Sequence, residues 1–174
     1  MNRYPTISDL LSEKLSNITP SQSGRMLYYP CQVTLSDDTK LDRVYVAEEQ
    51  LYFKHWGVYP EDDRGKLDVS IAQVKYLRES PYRLPAELAN KMYKHGESGM
   101  GYCIFTLIMR NGDRLPFLSG NAVDFVELPF KYLYKDIIDL LPGVGREKLQ
   151  DEKGNWLYPP HTSGDRYAWC LFSK

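Results

Sequence analysis

The apolar positions of this chain change period several times, and the changes mark its elements. Ile7, Leu10, Leu11, Leu15 and Ile18 recur at helical spacing. That spacing predicts a short amphipathic helix over 7–16, with Thr6 placed to cap it and Asp9 three residues on. Residues 17–24 are rich in Ser, Thr, Pro and Gly and read as a linker. From Met26 the period becomes two: Leu27, Tyr29, Cys31, Val33 and Leu35 fall on one face of a strand. A turn at 36–39 follows, then a second strand over 41–47 carrying Val44 and Val46. Glu48-Glu49-Gln50 reads as a polar turn, and Leu51-Tyr52-Phe53-Lys54 opens a third strand. Residues 60–66 are charged and form a loop. Val69 and Ile71 return to alternation, and Val74 and Leu77 continue after a brief turn. Short strands at close spacing predict an antiparallel meander over 26–80.

Helical spacing returns with Leu84, Leu88 and Met92. Pro85 at the start and Gly96 at the end frame a helix over 85–95, and Lys91, Lys94 and His95 complement its negative end. Residues 102–110 are apolar on both faces, as in a strand buried on both sides. Asn111-Gly112 predicts a type I′ hairpin, and Pro116 places the return strand at an edge or ends it early. Tyr134, Ile137, Ile138 and Leu141 predict a second helix, stopped by Pro142-Gly143. The tail from Trp156 to Pro160 is extended, and 166–172 reads as a final strand. The expected fold is α+β: an antiparallel meander or roll of about six to seven strands with two or three helices packed on it. Residues 1–24 form an N-terminal helix and linker, and 25–174 a single domain.

Composition narrows the class. With 43% hydrophobic and 26% charged residues, the chain is not wholly disordered. Its 22 basic and 23 acidic residues leave a net charge of −1, which argues against whole-protein attraction to nucleic acid or an anionic membrane. No apolar run approaches the ~20 residues of a membrane span, and no apolar core of a secretory leader follows the polar N-terminus. Cys31, Cys103 and Cys170 are far apart, so they read as buried free thiols in a reducing cytoplasm.

Candidate chemistry is sparse. In the 95–102 loop, His95-Gly96-Glu97-Ser98-Gly99-Met100-Gly101-Tyr102, Met100 breaks a nucleophile elbow and Ile104 breaks a dinucleotide fingerprint. The loop also leaves a helix and enters a strand, the reverse of a phosphate loop. An enzyme using it would gather His95, Glu97 and a Tyr or Asp in one cleft. His55, His95 and His161 have no partner at metal-ligand spacing, so neither a metal site nor a cofactor is expected. Pro142-Gly143-Val144-Gly145, in the 142–145 loop, resembles the hairpin of helix-hairpin-helix nucleic-acid binders; Leu149 and Glu152 depart from that pattern. As a pattern of strands, 26–141 is similar to lipid-binding rolls of the pleckstrin-homology kind, from which the helix at 85–95 departs. A lipid- or ligand-binding roll of that kind would hold a basic pocket between strands.

Tyr52, Trp56 and Tyr59 adjoin Glu61, Asp62 and Asp63, an aromatic cluster rimmed by charge, which is the composition of an interaction hot spot. Strand alternation would turn Tyr52, Lys54, Trp56 and Val58 outward and His55 inward, with the N-terminal helix available to cover the outer face. The expected function is therefore non-enzymatic: a small cytoplasmic module that binds another protein through Tyr52, Trp56, Tyr59, Glu61, Asp62, Asp63 and Glu97. Its Tyr-rich, motif-free α+β character is that of small bacterial toxin-neutralising (immunity) proteins.

Overall fold

Backbone pairing organises the chain into two sheets, one built from its two ends and one from its middle. The computed structural model describes residues 2–157 and 167–174. These form two compact units: 2–83 with 167–174, and 84–157. Among the described residues there are nine strands and four α-helices.

The first unit starts with α1 (Asp9–Ser16), two residues later than the spacing predicts. Ser8, not Thr6, is the cap: its Oγ accepts the Leu11 N–H at 3.3 Å. Thr6 instead bridges to Ser173. The stretch expected to be a linker contains β1 (Ser21–Ser23), paired antiparallel with β2 (Met26–Leu35). The buried Arg83 guanidinium holds this stretch in place. It donates to the Thr19 carbonyl at 2.6 Å, the Ser21 hydroxyl at 3.1 Å and the Glu79 carboxylate at 3.0 Å. The remaining strands of the unit are β3 (Lys40–Glu48), β4 (Leu67–Asp68), β5 (Val74–Glu79) and, from the far end of the chain, β9 (Ala168–Phe172). On one side β2 pairs with β3; on the other it pairs first with β1 and then with β5. Pro30, which has no N–H to give, sits at that handover, and its carbonyl accepts the Ser80 N–H at 3.0 Å.

The sheet is mixed rather than antiparallel. β9 lies between β3 and β4 and runs parallel to both. Its five residues are all buried, as a strand covered on two faces requires. One face packs Cys31, Val33, Val44, Val46, Cys170 and Phe172 against Leu11, Leu15 and Ile18. The other face is aromatic. Tyr28, Tyr45 and Trp169 pack on one another, and Tyr52 meets Trp169 with its ring centroid 4.8 Å away.

Tyr52 comes from α2 (Glu49–Trp56), which stands where a third strand was expected. The Glu48 carboxylate caps it, accepting the Gln50 N–H at 3.1 Å and the Leu51 N–H at 2.9 Å. Gly57, left-handed at φ 73°, ends it. Glu is outside the usual capping set, and an eight-residue helix is too short to display its period, so the run reads as alternation.

The second unit contains α3 (Ala86–His95), close to its expected bounds, with Leu88, Ala89 and Met92 buried. Its sheet orders β7 (Arg114–Ser119), β6 (Cys103–Met109) and β8 (Ile137–Pro142), with β6 central and Pro116 on an edge strand as expected. The β6–β7 hairpin forms, but not through a type I′ turn. Asp38 is the one non-glycine described with positive φ, so Asn111 cannot fill the first I′ position. Met109 and Asp113 close a three-residue loop in which Gly112 is left-handed at φ 88°. Gly112→Val should lower unfolding free energy by about 1–3 kcal/mol, because a β-branched residue resists positive φ. Urea unfolding checks this; an unchanged midpoint would contradict it.

Residues 134–141 are not a helix. A 3-10 turn, Tyr134–Asp136, leads into β8. The pairing of β8 with β6 jumps a register between Ile108↔Asp139 and Met109↔Ile137, which places a bulge at Ile138. Ile137 and Leu140 both point into the core, three residues apart, while Ile138 is 51% exposed. The bulge thus imitates a helical period. A single turn, α4 (Arg146–Leu149), follows. The final strand begins at Ala168; residues 158–166, which include the expected extended stretch at 158–160, His161 and Arg166, lie outside the described residues.

Candidate functional site

The residues singled out around Trp56 are together in space, but they largely satisfy one another. Tyr52 is fully buried core rather than surface, because it belongs to a helix and not to an alternating strand. His55, expected to face inward, is exposed for the same reason, while Lys54 is exposed as expected. Trp56 is half-buried, edge-on to Trp169 at 6.2 Å. The Lys66 ammonium lies 4.6 Å from the Trp56 ring centroid, donates to the Tyr52 hydroxyl at 3.2 Å and pairs with Asp63 at 2.9 Å. Burial pushes the Tyr52 phenol well above its ordinary pKa, so it stays neutral and accepts that bond. Glu61 and Asp62 are taken by the N-terminal arm: Arg3 pairs with them at 2.8 and 2.9 Å and stacks 4.6 Å over the Tyr59 ring. Tyr4 donates to Glu61 as well. What remains outward is Phe53, 45% exposed and stacked on Tyr59. The N-terminal helix covers the opposite face of the sheet, not this one.

The arm itself is anchored at Glu49, a carboxylate only 3% exposed. Its Oε2 accepts the N–H groups of Arg3 and Tyr4 at 3.0 and 3.1 Å, and its Oε1 accepts the Ser173 hydroxyl at 2.5 Å. One side chain therefore ties both ends of the chain to the start of α2.

In the second unit, the 95–102 loop is built to hold a turn. Glu97 is exposed, and its carboxylate accepts the Gly101 N–H at 3.1 Å. The Ser98 hydroxyl is committed to β6, accepting the Ile104 N–H at 2.8 Å. The Tyr102 ring lies so close over Gly99 that a Cβ there would sit 2.3 Å from it. Arg146 locks that ring: it donates to the Tyr102 hydroxyl and the Ser98 carbonyl, both at 3.2 Å. Its guanidinium also lies 5.6 Å from the Tyr102 centroid and 5.8 Å from that of Trp156. At the tip of this braced turn stands Met100, 97% exposed. Sequence reasoning singled out Glu97 but missed Met100. The signal for it in the sequence is an apolar residue between two glycines, Gly99-Met100-Gly101.

Nucleophiles are quiet. Burial pushes the Cys103 thiol up to about 11 and Cys170 up to about 12, and raises Cys31 as well, so all three stay protonated. His95 turns its Nδ1 toward the Gly96 carbonyl at 3.4 Å, not toward Ser98. Among the described residues, no three His, Cys, Asp or Glu side chains gather as a metal site. The 142–145 loop follows a strand rather than a helix, so the two-helix frame of a helix-hairpin-helix is not formed. No helix among the described residues is long and apolar enough to cross a membrane. No protein family, curated protein or solved structure matches the chain.

Proposed function

We propose that this chain is a small non-enzymatic module of the cytoplasm that binds another protein, of the toxin-neutralising (immunity) kind, and that it docks through the Met100 turn. One observation carries the reading: a methionine 97% exposed on a turn braced by Glu97, Tyr102 and Arg146. Leaving an apolar side chain in water forgoes its burial, and a braced backbone lowers the loop-ordering part of the cost of docking it. Met is also the side chain that best adapts to an irregular apolar socket. Free, buried cysteines fit a reducing compartment.

The test uses the whole chain as bait in an extract of its native host, followed by titration of the purified partner. Met100→Asp should melt within about 0.5 kcal/mol of the parent, since nothing packs on the side chain. It should bind the partner at least about 30-fold more weakly, about 2 kcal/mol. For the immunity reading, that partner should be toxic when expressed alone and harmless when expressed with this chain. A partner held equally by the Met100→Asp variant would overturn the docking site, and a harmless partner the immunity reading.

A further inference from the structure

The sulfur atoms of this chain are divided unevenly between core and solvent. Among the described residues, Met26, Met92, Met109 and all three cysteines are no more than 5% exposed, while Met100 is 97% exposed. Met92, Met109 and Cys103 belong to the core of the second unit, and Cys31 and Cys170 to that of the first. Oxidation of sulfur follows access, so an oxidant in solution meets one sulfur of the described fold and not the other six.

The mount of that sulfur decides what its oxidation can do. The turn is held by its neighbours and not by the Met100 side chain. The Tyr102 N–H donates to the Gly99 carbonyl at 3.3 Å, and the Ser98 N–H to the Tyr102 carbonyl at 2.9 Å. The Glu97 carboxylate accepts the Gly101 N–H at 3.1 Å. A change of chemistry at the thioether therefore leaves the turn standing. It turns an apolar tip polar, which an apolar socket no longer accepts. The approach is open on the Gly101 side, where an added Cβ would meet nothing within 4 Å.

We infer that Met100 is a reversible oxidation site, at which peroxide switches the turn from apolar to polar and a methionine sulfoxide reductase switches it back. In the forward step the sulfur lone pair attacks one peroxide oxygen. An S–O bond forms, the O–O bond breaks and water leaves, so the sulfur is oxidised by two electrons and the peroxide reduced. In the return step a dithiol supplies the two electrons, becomes a disulfide, and the sulfoxide oxygen leaves as water. The effect on docking rests on the Met100 reading above; the oxidation chemistry does not.

The test treats the full chain with hydrogen peroxide, removes the peroxide, and maps the products by mass spectrometry. Met100 should gain one oxygen at a rate near that of free methionine, at least about tenfold faster than Met26, Met92, Met109 or any cysteine. The oxidised chain should melt with the parent and be held less strongly by a phenyl resin. Met100→Leu should be held equally before and after peroxide. MsrA and MsrB together, with dithiothreitol, should restore both mass and retention. The partner purified through the docking test should bind the oxidised chain at least about tenfold more weakly, and the reduced chain as before. Oxidation of Met100 no faster than that of the buried sulfurs, or a sulfoxide that both reductases leave in place, would overturn the site whatever becomes of the docking reading. A partner weakened by Met100→Asp but bound at full affinity after peroxide would overturn the switch and leave the docking reading standing. A partner held equally by the parent, the Met100→Asp variant and the oxidised chain would overturn the docking reading and the switch together.

Discussion

A chain that ends at residue 166, and so lacks β9, should fail to fold its first unit. β9 is not an edge added late: it lies between β3 and β4, and its removal opens the sheet. All five of its residues are buried, on both faces. Ala168, Cys170 and Phe172 leave the core under α1. Trp169, 1% exposed, leaves the aromatic face, where it stacks on Tyr45 at 4.9 Å and meets Tyr52 at 4.8 Å. Ser173 goes too, with its bonds to Pro5, Ile7, Tyr4 and Glu49. At about 1.5–3 kcal/mol for each large apolar side chain, the loss is on the order of the whole stability of an ordinary domain, about 5–15 kcal/mol. Hydrogen exchange should find β2 and β3 unprotected in the truncated chain. A smaller variant gives a graded version: Trp169→Ala should cost about 3–5 kcal/mol. Retained protection in β2 and β3, or a Trp169→Ala midpoint equal to the parent's, would mean that β9 is dispensable.

That dependence was only half legible in the chain. The apolar run at 168–172 announces a buried strand, but a run of apolar residues does not say which strands it will join. Parallel insertion between β3 and β4 is a long-range choice, made when the end of the chain returns to its beginning. Local alternation favoured a simple antiparallel meander instead. Where period and capping agreed, as in α3 with Pro85 and Gly96, the element lies close to its expected bounds. Where a hidden device altered the period, the expected element was the wrong kind. The bulge at Ile138 made a strand look helical, and the carboxylate cap of Glu48 opened a helix where alternation pointed to a strand.

The candidate sites follow the same logic. Composition gathered Tyr52, Trp56, Tyr59 and the acidic run correctly into one neighbourhood, because they are adjacent in sequence. It could not see Arg3, which pairs with Glu61 and Asp62 from the far N-terminal arm. Exposed ion pairs of this kind add little stability, yet they change what the surface offers to a partner. Nor could composition see Arg146, which reaches back 44 residues to hold Tyr102 and thereby stiffens the Met100 turn.

Gly145→Ala should be strongly damaging to the second unit. The backbone there has φ 112°, a conformation that alanine strongly resists. Space is the second obstacle. A Cβ at this position would stand 2.6 Å from the Thr106 Oγ1 and 2.9 Å from the Pro116 Cβ. Neither neighbour yields easily. Thr106 is 3% exposed on the central strand β6, with its hydroxyl donating to the Val144 carbonyl at 2.7 Å. Pro116 is a closed ring opposite Thr106 in the β6–β7 ladder. Strained backbone costs about 1–3 kcal/mol, and overpacking a similar amount, so the variant should lose about 2–6 kcal/mol. Gly154→Ala separates the two causes. Its φ is 82°, but nothing lies within 4 Å of the added methyl, so only the backbone cost applies. Thermal melts of the two variants should therefore differ by several degrees, with Gly145→Ala the lower. Equal melting points would mean that the Thr106–Pro116 wall gives way, and that the close approach of the 143–145 turn to the sheet is not what holds it.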